Sequence, residues 1–220
     1  MVAQETVRLQ SDDDASSERR ARILDAAHRC FVRSGFHRTT MQDIAAEARM
    51  SPGNLYRYFA SKDSLVAGIC ERDRAEIGQD FSRLPDAGDF ARSLIAIARK
   101  YFEEEPRERA ILCLQIWAEA TRDPAFAALA GEFETDVIGR LTVEFQKARE
   151  RGLMAETVDP KRLAVLLATL ANGLFVRKAV MPSFDPAREV ANLQAVMEAA
   201  LAGRIDLTGA ATAPEQTKSH

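Results

Sequence analysis

Cysteine is scarce in this sequence, which limits the kinds of site it can build. The three cysteines, Cys30, Cys70 and Cys113, are odd in number and far apart, and each lies in an apolar pattern of helical period. A disulfide framework or a structural zinc site needs cysteines in pairs or close clusters. The three histidines are equally scattered. We therefore expect buried free thiols in a reducing cytoplasm, no metal site and no cofactor.

Long apolar runs are also missing. The longest run, residues 163–176, has 14 residues and contains Asn172, whereas a membrane-spanning helix needs about 20. The N-terminal segment is acidic and lacks the apolar core of a signal peptide. These features predict a cytoplasmic protein with no membrane partner, in which residues 163–176 form a buried helix.

Catalytic signatures are absent from the sequence as well. There is no nucleophile elbow, no phosphate-binding loop, no HExxH motif and no pair of carboxylates set apart from ordinary helix faces. An enzyme is therefore not expected. No useful length of strand-like alternation occurs either, so the predicted class is all-α.

Helix starts are easy to identify, because a capping side chain followed by proline occurs four times. The four pairs are Ser51-Pro52, Asp123-Pro124, Asp159-Pro160 and Asp185-Pro186. Together with the apolar periodicity they predict nine helices. The predicted helices cover about residues 18–34, 40–48, 51–59, 61–84, 90–105, 110–120, 124–151, 160–181 and 186–203.

One short segment carries most of the positive charge. Residues 16–62 contain nine Arg or Lys against four Asp or Glu, while residues 63–220 contain 20 against 25. A basic excess of this kind provides sequence-independent attraction to nucleic acid. The segment therefore indicates a DNA-binding region.

The stretch "SPGNLYRYF" at residues 51–59 fits a recognition helix within that segment. If Ser51 caps a helix, Leu55 and Phe59 share its inward face. The remaining side chains are small near the start of the helix and polar or aromatic after it. Small early residues allow close approach to base edges in the major groove.

These motifs resemble a known family. "TTMQDIAAEARMSPGNLYRYFASKDSLVAGI" at residues 39–69 resembles the DNA-binding domain of TetR-type transcriptional regulators, and "RARILDAAHRCFVRSGFHRTT" at residues 20–40 is similar to their first helix. The resemblance implies a three-helix DNA-binding domain followed by a helical ligand-binding and dimerisation domain. A disordered acidic arm is expected at residues 1–17 and the DNA-binding domain at residues 18–62. The second domain is expected at residues 63–203, and a disordered tail at residues 204–220.

The resemblance implies two groups of DNA contacts. Residues at the start of the third helix lie where the family contacts bases or their surroundings, and these are Ser51, Pro52, Gly53, Asn54 and Tyr56. Residues expected at the DNA backbone are Thr40, Tyr58 and Lys62, with Arg38 and Arg57 as additional contacts.

The family also implies a homodimer formed by the last two helices, reading a palindromic operator in double-stranded DNA. The sequence itself also favours a dimer. The run at 163–176 is apolar on too many sides for a surface helix, and a second apolar stripe follows it. The expected dimerisation residues are Leu163, Leu166, Leu167, Leu170, Leu174, Val190, Leu193, Met197 and Leu201.

The mechanism implied by the resemblance is repression that a small molecule relieves. The candidate pocket residues are large or polarizable groups on the middle helices, namely Tyr101, Phe102, Cys113, Trp117, Phe133, Phe145 and Phe175. For each of them an ordinary core position is the alternative. Few charges interrupt these helices, so we expect an apolar or aromatic effector. Arg99 and Glu119 are the charges best placed to orient its polar end, with a solvated helix face as the alternative.

A second function class stays open at this point. The chain could be a helical small-molecule-binding or interaction protein whose helix-turn-helix does not bind DNA. Binding of the protein's own upstream DNA, followed across a salt series, distinguishes the two.

Overall fold

The architecture is entirely helical in the part of the chain that the structure describes. The computed structural model describes the backbone of residues 2–84 and 90–208, and side chains from residue 16 onward. This part contains nine α-helices and one π-helical turn, which confirms the predicted class. The helices are α1 (Val2–Ser34), α2 (Met41–Glu47), α3 (Pro52–Tyr56), α4 (Lys62–Ser82), α5 (Phe90–Arg99) continued by the π-helical turn (Lys100–Glu104), α6 (Arg107–Ala120), α7 (Pro124–Glu150), α8 (Pro160–Val180) and α9 (Pro186–Leu201).

Capping side chains begin the helices where the sequence predicts them. The carboxylates of Asp123, Asp159 and Asp185 accept hydrogen bonds from backbone N–H groups two or three residues further on, at 2.8, 2.8 and 3.2 Å. Each aspartate satisfies a donor that the first turn of a helix leaves without an intrahelical partner. The starts of α7, α8 and α9 are thus set by local chemistry.

The disorder expected at the two ends of the chain remains a prediction. A disordered arm was expected over residues 1–17, whereas the backbone of α1 is helical from Val2. Neither proline nor glycine occurs between Val2 and Ser34, so the sequence contains no helix breaker in this stretch. At the other end, the N–H of Asp159 donates to the carbonyl of Leu207 at 3.1 Å. The expected tail therefore begins with ordered residues, and its part from 209 to 220 lies outside the described residues.

The chain divides into two compact units, each made of three segments. The first unit comprises Met1–Ile77, Pro106–Phe133 and Phe175–Pro182, and the second comprises Gly78–Glu105, Glu134–Leu174 and Ser183–His220. The first unit therefore contains the proposed DNA-binding residues together with α6 and the start of α7. The predicted domain boundary at residues 62 and 63 remains a prediction.

The core of the first unit joins the helices around the helix-turn-helix. Leu55 and Phe59, which the sequence places on the inward face, are buried together with Ile44 and Ala45 of α2, all with exposures of 3% or less. Gly68 on α4 permits close packing here, because a Cβ at this position would lie 3.0 Å from both Leu24 and Phe59 side-chain atoms. These contacts fix the orientation of α3 through α1 and α4.

The core of the second unit combines aromatic and aliphatic side chains. The rings of Phe90 and Phe145 meet edge to face with centroids 6.0 Å apart. The Asp80 carboxylate accepts hydrogen bonds from Lys100 at 2.7 Å and from the Tyr101 hydroxyl at 2.9 Å. The π-helical turn therefore carries a partly buried polar contact to the end of α4.

Helix α8 is longer than its apolar run. The sequence predicts that residues 163–176 are too short to cross a bilayer, but the helix around them has 21 residues and is long and apolar enough to cross one by length and composition. A single such helix is weak evidence for a membrane span, since core helices of other proteins pass the same test. Leu163 and Ala164 are fully buried, as in a core helix.

Candidate nucleic-acid interface and partner surfaces

Thr40 and Asp43 form a reciprocal cap at the start of α2. The N–H of Asp43 donates to the Thr40 hydroxyl at 3.1 Å, and the N–H of Thr40 donates to the Asp43 carboxylate at 2.9 Å. Hydrogen bonds from Thr40, first from its side chain and then from its backbone, lower the pKa of the Asp43 carboxyl. Asp43 therefore stays ionised and holds the cap closed.

The turn between α2 and α3 places Arg49 in a left-handed conformation, with φ of 57°. The N–H of Met50 donates to the carbonyl of Ala45 at 2.9 Å, which closes the turn in a Schellman-type arrangement. Glycine usually occupies such a position, so arginine is conformationally costly here. Arg49 was not among the predicted DNA contacts. Its position in the short "ARM" connection between two capped helices is the signal that could have identified it.

The recognition helix is short. Ser51 caps it, because the N–H of Asn54 donates to the Ser51 hydroxyl at 3.3 Å. The sequence predicts a helix to residue 59, but α3 ends at Tyr56. The N–H of Tyr58 donates to the carbonyl of Leu55 at 2.9 Å, a bond across three residues that tightens the chain into a turn.

Most of the predicted DNA contacts are accessible. The exposed members are Arg38, Thr40, Ser51, Pro52, Gly53, Tyr56 and Arg57, and the half-buried members are Asn54, Tyr58 and Lys62. Tyr56 is 54% exposed although it is large and aromatic. The surface around α3 is therefore free for a partner.

Lys62 makes contacts within the first unit, and its role at a phosphate remains a prediction. Its Nζ donates to the carbonyls of Phe36 at 2.6 Å and His37 at 3.3 Å, and it lies 4.5 Å from the centre of the Phe36 ring. The prediction relied on the position of Lys62 at the start of α4, which cannot indicate a contact with residues 25 and 26 positions earlier. Arg38 also makes an internal bond, from Nε to the carbonyl of Ser34 at 2.9 Å, but it remains exposed.

Ion pairs hold α2 against α1. Arg29 lies 2.7 Å from one oxygen of Glu47, and Arg33 lies 3.2 Å from the other. Hydrogen bonds from Arg29 and then Arg33 lower the pKa of the Glu47 carboxyl. These exposed pairs contribute orientation more than stability.

Most of the predicted dimerisation residues belong to the protomer's own core. Leu163, Leu167, Leu174, Val190, Met197 and Leu201 are buried within the single chain, and Leu166, Leu170 and Leu193 are half-buried. These six side chains leave little surface for a second copy in the single chain, and their assignment to the interface remains a prediction. Apolar periodicity identifies both faces of such a helix without telling which one the protomer covers.

One exposed stripe on each of α8 and α9 carries small or branched side chains. On α8, Val165, Thr169, Gly173, Val176 and Val180 are exposed at spacings of three or four residues. On α9 the exposed small residues are Ala187, Ala191 and Ala195. A stripe of this kind on each helix allows close helix approach.

The predicted pocket residues fall into different environments. Tyr101, Phe102 and Phe145 are at most 5% exposed and lie in the second unit, where Phe145 pairs with Phe90 and Tyr101 with Asp80. The other four lie in the first unit and are half-buried: Cys113, Trp117, Phe133 and Phe175. Their role in effector binding remains a prediction. Burial raises the pKa of the Cys113 thiol to about 12.

Glu119 does not lie on a solvated helix face, and its role at the polar end of an effector remains a prediction. Its carboxylate lies 3.0 Å from Nε2 of His37, and its side chain is only 15% exposed. Arg99 does lie on a solvated face, with its side chain 57% exposed and 3.9 Å from Glu103.

Two family descriptions match this chain. Residues 23–69 match "Bacterial regulatory proteins, tetR family", and residues 85–205 match "BetI-type transcriptional repressor, C-terminal". Among curated relatives, the HTH-type transcriptional regulator UidR of Escherichia coli (strain K12) is 27% identical over 175 residues, which cover 80% of this chain and 87% of UidR. The HTH-type transcriptional repressor AcnR of Corynebacterium glutamicum is 23% identical over 181 residues, which cover 82% of this chain and 92% of AcnR.

Solved structures agree with the sequence relatives. Salmonella enterica GusR is 27% identical, with a TM-score of 0.71 over 84% of this chain and 95% of GusR. A regulator from Saccharomonospora viridis, solved in complex with choline, shares the fold at 23% identity, with a TM-score of 0.68 over 83% and 96% of the two chains. The relatives are transcriptional regulators, and family members of this kind bind operator DNA as dimers. The chain belongs to the TetR family of bacterial regulatory proteins, and its function is the regulation of transcription.

Proposed function

We propose that the protein is a dimeric, cytoplasmic repressor that binds a palindromic operator and is released from it by a small apolar or aromatic effector. The observation that carries this proposal is the exposed surface at the start of α3. There Ser51, Pro52 and Gly53 present little side-chain bulk, and Tyr56 is largely exposed beside them.

The proposed DNA contacts follow from side-chain chemistry. Small residues at the start of α3 allow its backbone to approach base edges, and the Asn54 amide can both donate and accept at a base. Arg57, Arg38 and Arg49 are exposed cations of the same segment. They serve phosphates, which position the protein without reading sequence. Lys62 has no phosphate role in this proposal, because it already holds two carbonyls.

The proposed dimer uses the exposed stripes of α8 and α9. An apolar stripe that faces solvent on α8 is covered when the same stripe of a second copy packs against it, which gives a two-fold symmetric interface. Gly173 lies in the stripe, and no atom lies within 4 Å of the place where its Cβ would be. A two-fold dimer presents two copies of α3, which match the two halves of a palindrome.

The proposed effector is apolar or aromatic, and it binds near the half-buried residues Cys113, Trp117, Phe133 and Phe175. Release requires that the effector favour one conformation of the protein over the other. A hundredfold loss of operator affinity corresponds to a coupling free energy of about 2.7 kcal/mol. Choline is a second candidate, because it is bound in the Saccharomonospora viridis neighbour.

The DNA-binding part is tested by electrophoretic shift with the region upstream of the protein's own gene, across a series of salt concentrations. Asn54→Ala should alter the preference between sequences, while Arg57→Ala should weaken binding to all of them and reduce the salt slope by about one. Arg149→Ala, at an exposed position of α7, is the matched control. The absence of a salt-dependent, sequence-selective shift would instead favour the helical ligand-binding alternative.

The effector part is tested by thermal-shift screening of apolar and aromatic compounds, with choline included. A ligand that binds the folded state raises the unfolding temperature. Compounds that do so are then added to the protein–DNA complex. A compound that stabilises the protein but leaves it on its DNA would contradict effector-controlled release.

A further inference from the structure

The loop between α1 and α2, residues 35–39, is held by contacts from both sides within the first unit. Gly35 ends α1 with φ of 81°, and its N–H donates to the Phe31 carbonyl at 2.7 Å. The Thr39 hydroxyl lies within hydrogen-bond distance of two carbonyls, Gly35 at 2.8 Å and Cys30 at 3.1 Å. The loop is thus a defined turn that leads directly into the cap of α2.

One side of the loop is held by α4. The ammonium group of Lys62 lies against the carbonyls of Phe36 and His37 and above the Phe36 ring. This arrangement fixes the loop relative to the start of α4, next to the recognition helix. It gives Lys62 a positioning role.

The other side of the loop meets α6 and α7. The Glu119 carboxylate, near the end of α6, contacts the His37 ring at 3.0 Å. The Phe126 ring, near the start of α7, meets the Phe36 ring edge to face with centroids 5.1 Å apart. The residues that end α6 and begin α7 therefore contact the loop directly.

Packing beside this contact is incomplete. A small pocket next to Phe36 is lined by Phe31, Phe126 and Gln115, among other residues. The side-chain oxygen of Gln115 is buried and has no hydrogen-bond partner in the described part of the chain. A buried oxygen without a partner is costly.

We propose that His37 and Phe36 are positioning residues through which the ends of α6 and α7 set the helix-turn-helix for DNA binding. Only Arg38 and Thr39 separate His37 from Thr40, whose side chain caps α2. A shift of Glu119 or Phe126 therefore displaces the start of α2 without passing along α4. This inference rests on the proposed use of α2 and α3 in DNA binding.

The test combines hydrogen–deuterium exchange with DNA binding on the full chain. His37→Leu, Glu119→Leu and the double variant are compared with wild type, and Glu134→Leu, at an exposed position of α7, is the control. Each single variant should speed amide exchange in residues 40–48 about threefold, which is the scale of one partly exposed hydrogen bond. The double variant should add nothing further, because either change alone breaks the same contact. Binding to the upstream DNA fragment should weaken by the same factor.

Phe126→Leu provides an independent second variant, and it should also speed exchange in residues 40–48. Additive effects in the double variant, or faster exchange confined to α6, would contradict the inference. Faster exchange over the whole first unit would indicate general destabilisation and would contradict it as well. If wild type binds no DNA, the proposed function fails, while the exchange measurement still decides whether Glu119 controls α2.

Discussion

The helix-turn-helix, residues 40–59, and the last two helices expose opposite chemistry. The first exposes arginines, hydroxyls and a tyrosine on short helices whose starts are capped by Thr40 and Ser51. On α8 and α9 the exposed stripes consist largely of valine, alanine and glycine. DNA, a polyanion whose base edges form hydrogen bonds, is a suitable partner for the first surface. A second copy of the same helices is a suitable partner for the other surface. The difference supports the proposal that the chain contacts DNA and a second copy through separate elements.

The largest expected effect is on the free energy of unfolding. It tests whether the buried aromatic residues of the second unit belong to the core or line a pocket. Phe145 is completely buried, whereas Phe133 on the same helix is half-buried. Phe145→Ala should lower the free energy of unfolding by about 3–5 kcal/mol, since it removes buried area and leaves a cavity. Phe133→Ala, the matched control, should cost less. Urea unfolding measures both, and equal losses would remove the distinction between the two positions.

The next effect tests the surface of α8. Gly173→Glu places a charge in the exposed stripe, where the single chain leaves space for a side chain. The variant should stay folded but become monomeric, and its affinity for the upstream DNA should fall about a hundredfold through loss of bivalent binding. Gly173→Ala, the control, should retain the dimer, because a methyl group is small and carries no charge. Sedimentation together with DNA titration measures the two effects, and a dimeric Gly173→Glu would place the interface elsewhere.

These two regions also differ in how far the sequence could predict them. The starts of α2 and α3 depend on residues within three positions of Thr40 and Ser51, so capping chemistry is sufficient to locate them. The interface depends on which apolar face the protomer covers, as the burial of Leu163 and the exposure of Val165 illustrate. That choice is made by contacts distant in sequence. The internal contacts of Lys62 could not be predicted for the same reason, because its partners lie in the loop before α2.

A smaller effect tests whether local caps maintain the helix-turn-helix. Ser51→Ala removes the side-chain acceptor for the N–H of Asn54 and should lower the free energy of unfolding by about 1 kcal/mol. Ser51→Asp should restore that stability, because a carboxylate also caps a helix. It should nevertheless weaken DNA binding, since it brings negative charge towards phosphates. Thermal unfolding and DNA titration separate the two, and equal stability of Ser51→Ala and wild type would show that the cap contributes little.

The smallest expected effect concerns His28, a half-buried histidine of the first unit. His28 lies on α1, and charged side chains of α4 and α6 influence it. Burial, followed by the nearby Arg72 and Arg109, lowers the pKa of His28 below its usual value of 6.5, although the carboxylates of Asp25 and Glu108 oppose the change. In the pH range below 6.5 the unfolded chain therefore binds a proton more readily than the folded one.

The contribution of His28 to stability is thus fully present above pH 6.5 and is lost as the pH falls through the lowered pKa. We expect the unfolding temperature of wild type to fall more between about pH 7.5 and 5.5 than that of His28→Gln, which cannot take up the proton. The effect should be smaller than that of the Ser51 cap, because water partly screens a half-buried side chain. Parallel curves for the two proteins would mean that His28 keeps its usual pKa in the folded protein. In that case the charges of Asp25 and Glu108 offset the burial and the two arginines, and the acid sensitivity of the first unit would have to originate from its carboxylates.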